Sequence, residues 1–128
     1  MIDKSQFLID TDLLLEHLTH QKLAFPSILE KAMTKGVCFT TVINASELFF
    51  AASDDVQRES IQDLLSAIKV LGLNSRYSLK ISKFFNKVAT TRDALLCTVA
   101  EFNRLPILTN DTARYSNSGI KIINPLEM

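Results

Sequence analysis

The chain is sparing with the residues that bend or staple a polypeptide. Its 128 residues include three glycines, three prolines and two cysteines. With no linker, repeat or low-complexity stretch, it reads as one domain over residues 1–128, and a 47% hydrophobic content suits a real core. Cys38 and Cys97 each sit among apolar neighbours, so they read as reduced core thiols rather than a disulfide or metal site. Neither sign of charge is in excess, at fourteen basic and fourteen acidic residues, so bulk electrostatics do not mark a nucleic-acid binder. There is no charged-then-apolar leader with a cleavage site, and no apolar run of membrane-spanning length. The expectation is a cytoplasmic protein without membrane association.

What is present is more telling. Residues 1–63 carry ten acidic and five basic side chains, whereas 64–128 carry four and nine. That asymmetry suggests an acidic site beside a basic surface. Phe7-Leu8-Ile9 reads as a buried strand, followed by a helix from Thr11 to Thr19. Pro26 opens a helical segment that stops at Lys35-Gly36. Val37–Thr40 is a second strand, and Asn44 begins a helix through Ala52. Asp54 caps another helix toward Val70, with Gln57 completing a capping-box pattern. Val70–Leu73 is the weakest strand. Asn74 caps a helix in which Tyr77, Ile81, Phe84 and Val88 recur at helical spacing. Thr90 or Thr91 caps the next, and Ile107-Leu108 and Ile120–Ile123 supply the last strands. Strands separated by helices predict an α/β fold: a three-layer α/β/α sandwich around a mainly parallel sheet of four or five strands.

Four acids stand out. Asp10 ends the first strand, Asp111 follows the strand ending at Thr109, and Glu47 and Asp93 each lie three residues after a helix-opening Asn44 or Thr90. Singly, each reads equally well as an acid complementing a helix N-terminus, worth about 0.3–1 kcal/mol. Together they say more. In a parallel sheet the carboxyl ends of strands share one edge, so Asp10, Asp111 and Glu47 can converge; Asp93 needs a tertiary assumption to join them. Carboxylates gathered at one edge repel, and a hard divalent cation is the usual remedy. With no histidine or cysteine among them the set suits Mg²⁺ or Mn²⁺ and disfavours zinc. His17 and His20 lack a third ligand and read as an ordinary polar helix end.

These residues carry a resemblance. Phe7-Leu8-Ile9-Asp10-Thr11-Asp12, Thr40–Leu48 around Glu47, Arg92–Ala100 around Asp93, Ile107–Asp111 and a closing Ile122-Ile123-Asn124-Pro125 stand in the order and spacing of a PIN domain. This is the compact nuclease fold typified by the toxin subunits of VapBC-type toxin–antitoxin pairs. By that resemblance Asp10, Glu47, Asp93 and Asp111 match the acidic metal-binding positions, Thr109 matches a hydroxyl lining the site, and the fold brings Asp93 to the strand edge. One departure is Thr91, two residues before the third acid, where the family commonly has an apolar β-branched residue.

The resemblance implies a metal-dependent endoribonuclease using Mg²⁺ or Mn²⁺, with RNA as substrate, a small antitoxin lying across apolar helices, and a homodimer. Leu48-Phe49-Phe50-Ala51 and Leu13–Leu15 offer apolar surface for such a partner, or simply form two-sided buried helices. For the RNA backbone, Arg76, Lys80, Lys83 and Lys87 fall at offsets of four, three and four, one stripe down a helix, and Arg92 joins them as a substrate-binding candidate. The stripe reads equally well as a solvated face. Base-stacking aromatics are not obvious, since most of the eight phenylalanines read as core. Two other readings stay open. One is a non-catalytic interaction module of the same fold. The other is a haloacid-dehalogenase-like phosphatase, suggested by Asp10-Thr11-Asp12 but lacking the usual glycine after the second aspartate and a downstream lysine motif.

Overall fold

The computed structural model describes residues 5–20 and 25–128. At its centre is β1 (Ser5–Ile9), with β2 (Gly36–Thr41) on one side and β4 (Ile107–Leu108) on the other. β3 (Lys69–Leu71) and β5 (Ile122–Ile123) complete a sheet of order β3-β2-β1-β4-β5, and every pairing is parallel. Leu8 pairs with Phe39 and with Ile107, and Ile9 with Leu108.

Period-two alternation gives the sheet a core on each face. Phe7, Ile9 and Leu108 face a cluster built by α1 (Thr11–Thr19), α2 (Ile28–Lys35), α3 (Val42–Ala51) and α4 (Asp55–Ala67). Leu8 and Ile107 face the other, with Leu96 and Val99 of α6 (Thr91–Asn103) and with Tyr77, Phe84 and Tyr115. This is the expected three-layer α/β/α sandwich, with five strands. Gly36 runs straight from α2 into β2 because of crowding: a Cβ there would lie 2.0 Å from the Ser5 carbonyl oxygen. Both cysteines are buried free thiols, and burial pushes each up to about 11. No helix among the described residues is long and apolar enough to cross a membrane.

The chain reverses its direction of strand addition between β1 and β4. At such a switch the loops leaving adjacent strands diverge and open a crevice at the carboxyl edge. Asp10 lies at the end of β1, and Asp111 just beyond β4.

Three expectations are corrected. The helix after β2 starts at Val42, not Asn44. Thr41 is its N-cap, and Asn44 is the reciprocal partner of a capping box. Glu47 therefore sits in the second turn and caps nothing. The single helix expected after Asn74 breaks into α5 (Tyr77–Lys80), a 3₁₀ turn over Ile81–Phe84, and a left-handed Asn86 (φ 64°). Tyr77 and Phe84 are buried as expected. However, Ser75, Ser78, Ser82 and Asn86 are poor helix formers, and Asn74 and Ser78 bond to nearby backbone instead. Arg76, Lys80, Lys83 and Lys87 consequently form no continuous helical stripe. Finally, most phenylalanines are not core. Phe7 and Phe84 are buried, whereas Phe25, Phe49, Phe50, Phe85 and Phe102 are exposed, Phe50 almost completely.

Candidate functional site

At the carboxyl edge the site assembles around a side chain. Asp10, N-cap of α1, is buried; its Oδ1 accepts from the Thr11 backbone N–H at 2.8 Å. Asn44 of α3 donates to the same oxygen at 3.3 Å. Its Oδ2 accepts from the Tyr115 hydroxyl at 2.7 Å. Asp93, in the first turn of α6 behind the Thr90 N-cap, is also buried. Thr91 opens that helix without disturbing the turn.

Arg92 reaches all three of the inner acids. Its Nη2 lies 2.6 Å from Asp10 Oδ1 and 2.8 Å from Glu47 Oε1. Its Nη1 lies 3.1 Å from Asp93 Oδ1, and its Nε 3.2 Å from Glu47 Oε2. The Tyr115 hydroxyl accepts from Nη1 at 2.6 Å, and the Thr11 hydroxyl, itself donating to Glu47 at 2.6 Å, accepts from Nη2 at 3.2 Å. A guanidinium has five N–H donors, and here each nitrogen has acceptors. A second, looser node lies outside the first. Arg114 Nε stands 3.8 Å from Asp93 and 3.5 Å from Asp111.

The electrostatics follow from that geometry. Burial alone would raise the Asp10 pKa, but the Arg92 charge and hydrogen bonds from Tyr115, Arg92 and Thr11 outweigh it, so the carboxyl titrates below its usual range. Glu47 behaves likewise: partial burial is overcome by hydrogen bonds from Arg92 and Thr11. Burial works against the charge of Arg92, yet Glu47 and Asp10 more than compensate and raise its pKa. Burial and the neighbouring Asp10 hold the Tyr115 phenol protonated. Four carboxylates face two guanidiniums, so the cluster keeps a formal excess of two negative charges.

Among the described residues, no three His, Cys, Asp or Glu side chains stand close enough to hold one metal ion. The acids meet around Arg92 instead. Their donor chemistry nevertheless fits a hard divalent cation: all ligating atoms are carboxylate oxygens, and the uncompensated charge equals that of such an ion.

The family model of the PIN domain matches residues 7–117, which spans every residue of this cluster. The chain belongs to the PIN domain family. Three solved structures share its fold at low identity. VapBC2 from Rickettsia felis, bound to a DNA fragment from its promoter, has 11% identity and a TM-score of 0.78 over 93% of this chain and 98% of its own. A toxin–antitoxin complex from Klebsiella pneumoniae has 16% identity and a TM-score of 0.76 over 97% and 99%. FitAcB from Neisseria gonorrhoeae has 17% identity and a TM-score of 0.70 over 95% and 99%. No curated protein sequence matches the chain.

Within this PIN domain the remaining candidates separate. Thr109 lies at the edge, but its hydroxyl donates to Asp12 Oδ2 at 3.1 Å and accepts from the Asp111 N–H at 3.1 Å. Asp12 also accepts from the Asn110 N–H at 2.8 Å. It ties α1 to the loop carrying Asp111, and so is not poised as the acid–base partner that the phosphatase reading requires. His17 and His20 bond to Ser27, Phe25 and Glu16 near the far end of α1. Arg76 and Lys80 are exposed, Lys83 is paired with Glu101, and Lys87 lies on the wall of an open cleft that Asp93, Asp111 and Arg114 also line. Sequence reasoning missed Thr11, Asn44, Arg114 and Tyr115. Only their spacing hinted at them: Thr11 follows Asp10, Asn44 precedes Glu47 by three, and Arg114-Tyr115 lie one 3₁₀ turn beyond Asp111.

Proposed function

We propose that this PIN domain is a metal-dependent endoribonuclease and the toxin of a toxin–antitoxin pair. The observation that carries the reading is the convergence of Asp10, Glu47 and Asp93 on one cation at the topological switch point, in a chain of this family. Asp10, Glu47, Asp93 and Asp111 would hold Mg²⁺ or Mn²⁺. When bound, the ion supplies the Lewis acidity that activates water and offsets charge on the scissile phosphate. Asp10 and Asp93, buried, anchor it. Glu47 and Asp111, the more exposed acids, would ligate a second ion directly or through water, and one of them would orient the attacking water. Thr109 steadies the Asp111 loop through Asp12.

The substrate-binding side combines charge and aromatic surface. Arg114, nearly half exposed, faces solvent at the same edge. Arg76, Lys80 and Lys87 add a scattered basic surface rather than a stripe. Phe50 lines an open groove with Glu47, Leu73 and Arg92, and offers a flat face on which an RNA base can stack. A small antitoxin has a separate apolar groove of about 300 Å³ between α1, α3 and α4, lined by Leu15, Leu18, Leu48, Ala52 and Val56.

One observation favours the non-catalytic alternative, namely that Arg92 already occupies oxygens of all three inner acids. Cleavage of a structured RNA with and without Mn²⁺ decides between them. Wild type is expected to cut only with the metal, and Asp10→Asn and Asp93→Asn to lose at least about a hundredfold in rate, of the order seen when transition-state charge stabilisation is removed. Metal-independent or Asp10-independent cleavage would exclude the proposed chemistry.

A further inference from the structure

We propose that Arg92 is a resident counter-cation which a divalent metal must displace, so that the site loads by exchanging a guanidinium for an ion. The inference rests on the metal-dependent reading above and adds to it a step performed by the chain itself.

A buried carboxylate such as Asp10 cannot be left without a partner, and Arg92 is that partner at 2.6 Å. The same guanidinium holds Asp93 at 3.1 Å and both oxygens of Glu47. An ion ligated by these acids needs the oxygen lone pairs that Arg92 now occupies, and it would stand beside a full positive charge. Both demands are met if the guanidinium leaves. It has somewhere to go: the open groove with Phe50, Leu73 and Ser46 adjoins it, and the Phe50 ring there can receive a cation on its face. Arg114 is a poor candidate for the same role, because it sits at 3.5–3.8 Å and is far more exposed.

Competition lowers apparent affinity by the fraction of molecules in which the acids are free. Removing the competitor should therefore raise it. In titrations of Mn²⁺ followed by electron paramagnetic resonance, Arg92→Gln is expected to bind about tenfold or more tightly than wild type. Arg114→Gln should change affinity by less than about threefold, as expected of an exposed pair, and Asp10→Asn should lose the site. Equal or weaker binding by Arg92→Gln, with binding still dependent on Asp10, overturns the exchange and leaves the nuclease reading intact. Absence of any Asp10-dependent binding overturns both. A second readout needs no variant and so survives misfolding of Arg92→Gln. In ¹⁵N spectra of the wild-type arginine side chains, the Arg92 Nε–H signal should shift as diamagnetic Mg²⁺ saturates the site. A signal that saturating Mg²⁺ leaves unmoved contradicts displacement.

Discussion

Two arginines pair with the acids at the carboxyl edge, and they do so in different settings. Arg92 is about 20% exposed, touches a fully buried aspartate, and has acceptors on each nitrogen at 2.6–3.3 Å. Arg114 is 42% exposed, pairs with an Asp111 that is 53% exposed, and comes no nearer than 3.5 Å. The pairing is similar in kind, but its energetic weight differs because water already solvates the outer pair. Removing one member of a buried pair strands a charge, whereas removing one member of an exposed pair returns the other to solvent. The inner node therefore carries weight in stability, whereas the outer one stays open to solvent.

The largest effect expected follows from breaking the inner node. Arg92→Ala should destabilise the metal-free domain by about 3–5 kcal/mol, since Asp10 loses its cation in a buried setting. Against a typical total of about 5–15 kcal/mol this is a large share. Urea denaturation in chelator would show it as a lower midpoint. Asp10→Asn combined with Arg92→Ala should be less destabilised than the sum of the two single variants; strict additivity would mean that the two side chains are not coupled.

The next effect sharpens the same contrast through pH. In wild type the Asp10 and Glu47 carboxyls are held below their ordinary values of 3.8 and 4.5. The unfolded chain then binds protons that the native state does not, so the stabilisation is present above those values and is lost as pH falls through the depressed ones. In Arg92→Ala the lowering influence of the guanidinium is lost, while burial still raises the Asp10 pKa and the hydrogen bonds from Tyr115 and Thr11 still lower it, so the carboxyl is expected to move up from its depressed value. Chelated wild type should lose stability on acidification below about pH 4, and Arg92→Ala should lose less of its stability over the same range. Melting temperatures across that range would show parallel curves if Arg92 were not the controlling charge.

The reason the sequence disclosed part of this and not the rest is physical. Asp10 and Asp111 were legible because a strand ending in an acid fixes that acid at the sheet edge whatever the loops do. The parallel sheet needed only strands alternating with helices and the crossover rule, whereas the strand order was not read; α1 lies where the sequence put a helix of about Thr11 to Thr19. The break after Asn74 was not, because burial of Tyr77 and Phe84 satisfies a helical period and a chain of short turns equally well. Glu47 was placed one turn early, since Thr41 and Asn44 are both good caps and only their reciprocal bond decides between them. The direction of Arg92 was hidden for another reason. A side chain beside a buried acid can face solvent or fold inward, and the choice depends on Tyr115, twenty-three residues downstream, supplying an acceptor. Reading most phenylalanines as core failed because composition cannot distinguish a buried ring from an exposed one.

The smallest effect concerns the outer node, and it tests the comparison from the other side. Arg114→Gln should cost no more than about 1 kcal/mol in the metal-free domain, because Arg114 and Asp111 are both well solvated and their attraction is screened. Raising salt should erase even that difference in denaturation midpoints, whereas the Arg92→Ala deficit should persist, since a buried pair is little screened. If Arg114→Gln instead cost as much as Arg92→Ala, the 3.8 Å approach to buried Asp93 would be the decisive contact. The inner and outer nodes would then have to be treated as a single network.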